Sequence, residues 1–256
     1  MVPVRMVYRL AVLAALSTTA PAFAGYAMPE DFVYLREVDP TIQQDMRYAG
    51  SRNFTGKPVD GYDAAECVLV RQAAEALKAV QADLRGKGRS LKMYDCYRPA
   101  RAVAAFVDWA NQPDDPEAKG VYYPNLDKAT LIPNYIAPRS GHSRGATVDL
   151  TLVPIGEETK GSPATGPCTA PQKSKAPDGS LAMGTTFDCF DTKAALSASN
   201  VSAEQHRNRV MLSEVMRAHG FKDYRPEWWH FTLEAEPYPD TIFDFPILPR
   251  SSNGTG

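Results

Sequence analysis

Residues 140–152 read SGHSRGATVDLTL, which sets His142 and Asp149 seven positions apart with small residues between them. A second pair, Glu227 and His230, lies in EWWH towards the other end of the chain. Imidazole nitrogen and carboxylate oxygen are what a borderline divalent cation accepts at about 2 Å, with three protein ligands and one position left open for water in a catalytic site. His142, Asp149 and His230 meet that count, and Glu227, three residues before a ligand, is placed to act as a base on a water at the open position. On a straight strand an odd separation points two side chains to opposite faces. The glycines and small residues at 141–146 let the chain bend, so that His142 and Asp149 can face one point. The pattern is not the His-Glu-x-x-His helix of thermolysin-like enzymes. Taken alone, the His142–Asp149 spacing also suits a polar turn leading into a strand.

The remaining two histidines fall in a predicted helix. His206 and His219 read as structural or surface groups, His219 at the last turn, where partial positive charge suits the helix dipole. That helix is expected over Ala203–His219 with Gly220 as its stop. Another is expected over Ala64–Arg85, with Asp63 as N-cap, Val70, Ala73, Leu77, Val80 and Leu84 at helical spacing, and Gly86 as its end. SLKMYDCY at 90–97 reads as a strand that runs straight into a helix, RPARAVAAFVDWA, with Pro99 in its first turn. ATVDLTL and WHFTLEA have the alternation and β-branched content of strands. The segment at 153–182, rich in Pro, Gly, Ser and Lys, reads as an extended surface loop. Helices and strands mix without regular βαβ repetition, so the expected fold is α+β with a largely antiparallel sheet.

The chain has 256 residues, enough for one sizeable core, and no internal repeat. Residues 1–24 carry the marks of a secretory signal peptide: Arg5 and Arg9, the short apolar run Leu10–Leu16, and Ala22-Phe23-Ala24 before Gly25. Its apolar run is too short to span a bilayer. Removing two positive charges takes the formal net charge from −2 to −2 − 2 = −4. No basic block remains, which leaves nucleic-acid or anionic-membrane binding without electrostatic support. Cys67, Cys96, Cys168 and Cys189 would enter an oxidising compartment, so two disulfides are expected. Three pairings are open; Cys67–Cys96 with Cys168–Cys189 is favoured because the second bridge would close the long polar loop. A four-cysteine zinc site is disfavoured by the lack of any Cys-x-x-Cys pair.

SGHSRGATVDLTL together with EWWHF resembles the ligand set of the zinc D,D-peptidases, which include the D-alanyl-D-alanine dipeptidases of the VanX type. RYAGSRNFTGKPVDGY at 47–62, YDCYRPARAV at 94–103, MGTTFD at 183–188 and EPYPDTIFDFP at 236–246 are similar to the dipeptidase branch in the same order. The resemblance therefore spans nearly all of the chain after residue 24. It implies the zinc D,D-peptidase fold and one zinc ion on His142, Asp149 and His230. It also implies Glu227 as catalytic base, Arg98 as the group that stabilises the transition state, and Tyr48, Ser140 and Asp188 as residues that shape the pocket and hold the dipeptide. The chain departs from the family pattern in its leader, in a longer 153–182 segment, and in having Cys96 where glycine is expected beside Tyr97 and Arg98.

The reaction implied is zinc-dependent hydrolysis of the D-alanyl-D-alanine dipeptide to two D-alanines, in wall turnover or salvage. The leader implies a secreted chain, in a bacterium one of the periplasm. Two other readings stay open. One is a D,D-carboxypeptidase trimming peptidoglycan stem peptides; the other is a non-catalytic cell-wall-binding module that keeps zinc for structure. Glu227 and Arg98 weigh against the module, because a structural zinc needs neither a base nor an open position.

Overall fold

In the computed structural model, which describes residues 27–156, 166–173 and 175–250, strands β1 (Phe32–Tyr34) and β3 (Val68–Val70) form a small antiparallel sheet. A five-stranded sheet has the order β2 (Gln43–Gln44), β4 (Arg89–Asp95), β5 (Thr147–Pro154), β7 (Glu227–Leu233), β6 (Phe221–Tyr224). β2 runs parallel to β4, and the other pairs are antiparallel. The helices are α1 (Leu35–Val38), α2 (Arg71–Arg85), α3 (Ala100–Asn111), α4 (Pro116–Tyr122) and α5 (Ala203–Ala218). This is the expected α+β architecture with a largely antiparallel sheet. The leader read at residues 1–24 lies outside the described residues.

The sheet is built around β4 and β5, where Leu91, Met93, Val148, Leu150 and Leu152 are wholly buried. Burying such a side chain stabilises the fold by about 1.5–3 kcal/mol relative to exposure. Helices α2 and α5 pack on the sheet and on each other. The buried face of α2 (Ala73, Leu77, Val80, Leu84) is the one its periodicity indicates. Gln81 on that face is buried as well; its Oε1 accepts from Leu91 N at 2.8 Å and its Nε2 donates to Ser90 Oγ at 2.9 Å, tying the helix to β4. The helix begins at Arg71 rather than Ala64, and Asp63 does not cap it. Val68 and Val70 are instead extended, pairing with Tyr34 and Phe32, while Cys67 is bridged to Cys96. β-branched residues with a ladder partner and a covalent anchor favour the strand over about two more turns of helix. α5 starts where expected, under a reciprocal Ser202–Gln205 capping box, and its C-cap is His219 before Gly220.

The 153–182 segment differs from a plain surface loop. Ile155 is exposed, but Cys168, Asp178, Ser180 and Ala182 are buried. Leu181 N donates to Leu152 O at 2.8 Å, so the chain around Leu181 folds back on β5. The reason is charge. Asp178 ion-pairs with Arg47 at 3.1 Å and Lys92 at 3.2 Å, and accepts from Ser180 Oγ at 2.7 Å and from the Tyr94 hydroxyl. Lys92, on the interior strand β4, is 2 % exposed and needs that partner. Both expected disulfides are present, Cys67–Cys96 and Cys168–Cys189.

Burial raises the Asp178 carboxyl, but Lys92, Tyr94 and Arg47 more than offset this and bring its pKa down to about 2. A depressed native pKa gives stability that is complete above the unfolded value near 4 and lost as pH falls through 2, a contribution of up to roughly 2–3 kcal/mol. Asp178→Asn should therefore be destabilised at neutral pH, and its gap from the parent should close between about pH 4 and pH 2. Denaturant titrations of both proteins across that range measure the gap, and a pH-independent difference would contradict this account.

Candidate active site

The small-residue bend is a 3-10 turn, Gly141–Arg144, whose start Ser140 caps by accepting from His142 N at 3.2 Å. The turn ends at Gly145 with φ +82, and a Cβ there would lie 2.3 Å from Phe32 Cε1, so both the backbone and the packing require glycine. From this turn His142 reaches over the first residues of β5. Asp149 lies on β5 directly opposite His230 on β7, and the neighbouring pair Thr147–Thr232 confirms the register with an Oγ1–Oγ1 contact of 2.9 Å. Cross-strand partners share a face, which brings Asp149 and His230 together without any loop.

The three side chains converge. His142 Nε2 lies 3.3 Å from His230 Nδ1 and 3.3 Å from Asp149 Oδ2, and His230 Nδ1 lies 3.1 Å from Asp149 Oδ1. His142 Nδ1 is 2.7 Å from the Cys96 carbonyl; donating its proton there leaves a lone pair at Nε2. Buried Asp149 Oδ1 makes no hydrogen bond despite its neighbour. Donor atoms of three residues this close to one another can hold a divalent cation between them. Ligands at about 2.0–2.1 Å from a tetrahedral centre are about 3.3 Å apart, which matches the observed spacing. Burial lowers the His230 pKa, favouring the neutral ring that a metal takes. Burial alone would raise Asp149, but His142 and His230 hold it below the usual carboxylate range.

Glu227 opens β7 with its Oε2 3.7 Å from His230 Nδ1. A register shift between Asp223 and Tyr224 beside it breaks plain alternation, so a residue three positions from His230 still reaches it. Burial, then the negative charges of Asp149 and Asp188, push the Glu227 carboxyl well above its ordinary value.

Arg98 is not a surface group: its side chain, 13 % exposed, is largely enclosed just ahead of α3. Its Nε and Nη2 contact Asp95 Oδ2 at 2.9 and 2.8 Å, Nη2 lies 3.6 Å from Asp149 Oδ2, and the guanidinium stands over the Tyr48 and Phe106 rings. Nη1 reaches Ser140 Oγ at 3.5 Å. Tyr48 donates to both oxygens of Asp188, at 2.9 and 3.1 Å. Asp188 is a non-glycine residue with φ +58, a conformation aspartate tolerates better than most and one that gathers at functional sites. Burial and the nearby Asp149 charge push its pKa up to about 8. All eight residues singled out from the sequence line one cavity of about 220 Å³. His206 and His219 do not line it; His219 pairs with Asp83 at 2.8 Å on the surface.

Sequence reasoning missed Asp95. Between Met93 and Asp95 the β4–β5 register slips, so Tyr94 and Asp95 together oppose Asp149 and Asp95 joins the site face. There it holds Arg98, accepts from the Tyr62 hydroxyl at 2.7 Å and lies 3.5 Å from His142 Nδ1. Its only sequence mark was the spacing to Arg98 in YDCYR.

A paired-histidine, single-carboxylate cluster with a buried acid and a guanidinium around one cavity has the chemistry of a metallohydrolase. Residues 28–161 and 173–248 match the peptidase M15 family described as D-ala-D-ala dipeptidase, and the chain belongs to that family. It is 42 % identical over 221 residues to the D-alanyl-D-alanine dipeptidase of Streptomyces coelicolor, covering 86 % of this chain and 100 % of the relative. The D-alanyl-D-alanine dipeptidase of Enterococcus faecalis is 38 % identical over the same shares, and that of Escherichia coli 29 % over 82 % of this chain and 88 % of its own.

His142→Ala should lower metal content of the purified protein, measured by atomic emission, while far-UV circular dichroism stays that of the parent. An unchanged metal stoichiometry would rule out His142 as a ligand.

Proposed function

We propose that the protein hydrolyses the D-alanyl-D-alanine dipeptide to two D-alanines, with zinc held by His142, Asp149 and His230. The observation that carries this is the convergence of three metal-ligating atoms, from His142, Asp149 and His230, beside a buried acid and a fixed guanidinium, in a chain that covers the full length of D-alanyl-D-alanine dipeptidases. Two nitrogens and one oxygen are a borderline donor set suited to zinc. Zinc, when bound, supplies Lewis-acid polarisation and lowers the pKa of water from about 16 towards about 7.

The chain's own residues do the rest. Glu227 takes the proton from the attacking water at its Oε atoms and passes it to the departing amine; its raised pKa makes it a stronger base than an exposed glutamate. Arg98, fixed by Asp95 and by two aromatic rings, presents N–H donors to the oxygen on which charge develops. Asp188, held by the Tyr48 hydroxyl, suits the substrate ammonium, whose charge favours ionised Asp188 despite its burial. Ser140 and the exposed Arg139 at the same cavity suit the carboxylate end. The aromatic walls Phe54, Phe106 and Phe190 limit the cavity to about 220 Å³, below the roughly 300–1,000 Å³ of drug-sized sites. That size favours a free dipeptide over the stem peptide of a D,D-carboxypeptidase.

The site of action follows from the leader read at residues 1–24 and from both disulfides, which persist in oxidising compartments. We infer a secreted, periplasmic enzyme acting on dipeptide released during wall turnover.

Purified protein should cleave D-alanyl-D-alanine, lose activity to a chelator and recover it with zinc, and leave a pentapeptide stem nearly untouched. Preferential trimming of the stem would favour the carboxypeptidase, and no hydrolysis with zinc fully loaded would favour a binding module. Glu227→Gln should lower kcat by about 10²–10⁴ with metal retained. Arg98→Ala should lower kcat by about 10²–10³. Near-parental kcat in either variant would remove that residue from the mechanism.

A further inference from the structure

The ladder between β4 and β5 ends at the Asp95–Asp149 pair. The next residue, Cys96, carries the carbonyl that accepts from His142 Nδ1 at 2.7 Å. Cys96 is wholly buried and bridged to Cys67, with Cα atoms 5.3 Å apart. Cys67 in turn is tied to the frame on both sides. Its N–H donates to Gln44 Oε1 at 3.0 Å and its carbonyl accepts from Leu35 N at 2.9 Å, while Tyr97 N donates to Val68 O at 2.9 Å. The bridge thus transfers the fixed position of β3 to the carbonyl that orients a metal-facing imidazole.

We infer that the Cys67–Cys96 disulfide is a positioning element of the metal site, holding the Cys96 carbonyl so that His142 presents Nε2 to the cation. The inference rests on the metal reading above. Asp95 Oδ2 lies 3.5 Å from the same Nδ1. A slip of the carbonyl therefore turns the His142 ring towards Asp95 and draws Asp95 away from Arg98, disturbing a ligand and the guanidinium together. Groups that orient a metal-bound imidazole affect metal affinity by about 10–100-fold.

The second bridge provides the control. Cys168 N donates to Val121 O at 2.7 Å and Phe190 N to Tyr122 O at 2.8 Å, so Cys168–Cys189 braces the cavity wall and not a ligand.

The test compares the parent, Cys67→Ala/Cys96→Ala and Cys168→Ala/Cys189→Ala, each checked for folding by circular dichroism, in competition for zinc against a chromophoric chelator. The first variant should bind zinc about 10–100-fold more weakly and regain activity as zinc is added. The second should keep the parent's zinc affinity although it loses thermal stability. Parental zinc affinity in the first variant, or equal weakening in both, overturns the inference. A parent that binds no zinc overturns the metal reading itself, a distinct result. If Cys67→Ala/Cys96→Ala does not fold, zinc release is followed in Cys168→Ala/Cys189→Ala protein, whose one remaining bridge is reduced with a phosphine and its freed thiols counted by alkylation. Faster release than from the same protein left oxidised supports the inference, and equal release overturns it.

Discussion

The structure depends on one local conflict: two imidazole nitrogens and a carboxylate meet within 3.1–3.3 Å, in a place where hydrogen bonding does not satisfy Asp149 Oδ1. Acceptors crowded out of water are costly unless a cation sits among them. The fold enforces the meeting through the most rigid geometry available to it, a pair of central antiparallel strands in which Asp149 and His230 are direct partners. A one-residue slip in that register would put one ligand on the helix-covered face. The apolar packing of Val148, Leu150 and Phe231 fixes the register, so the core determines the site.

The surrounding charges sort themselves by environment. Asp149 is held below the usual carboxylate range, whereas Glu227 and Asp188 are raised, Asp188 to about 8. Carboxyl groups whose environments drive them apart take different roles: a permanent anion suits a ligand, and a carboxyl that readily gains a proton suits a base. Asp95 differs again, being spent on Arg98, Tyr62 and the approach to His142. Arg98 is consequently immobile, its donors set before any substrate arrives, which is what electrostatic stabilisation requires.

The cluster of His142, Asp149 and His230 was legible in the sequence because its chemistry is rare: the chain has four histidines, and the small residues around His142 announce a bend. The α5 boundaries and the bridges were legible for similar local reasons, a glycine stop at Gly220 and an even cysteine count. Asp95 was not, because its orientation comes from a bulge that exists only in the pairing of β4 with β5. The first turns expected of α2 failed for the same cause, as Val68–Val70 is claimed by a partner strand thirty-odd residues away. The buried return of the 153–182 segment was hidden too: its polar composition marks a loop, and only the buried Lys92 on β4 explains why Asp178 is drawn inside. Non-local pairing of strands and charges is what local patterns omit.

Site and fold are therefore coupled in both directions. Four carboxylates, those of Asp95, Asp149, Asp188 and Glu227, are buried within one region, with the Arg98 guanidinium contacting Asp95 and Asp149. Mutual repulsion and desolvation weaken this region when it lacks a cation, and the raised carboxyls are the sign of that tension. A metal that binds only the native arrangement stabilises it by mass action, by about 2.7 kcal/mol at a free concentration one hundred times its Kd. The elements that bear the tension are those most firmly anchored elsewhere. β4 and β5 are anchored by the core, the His142 turn by Gly145 against Phe32, and the chain at Cys96 by its bridge. Strain at the cavity is thus carried by parts of the molecule that do not touch it, which allows a site so unfavourable in isolation to persist.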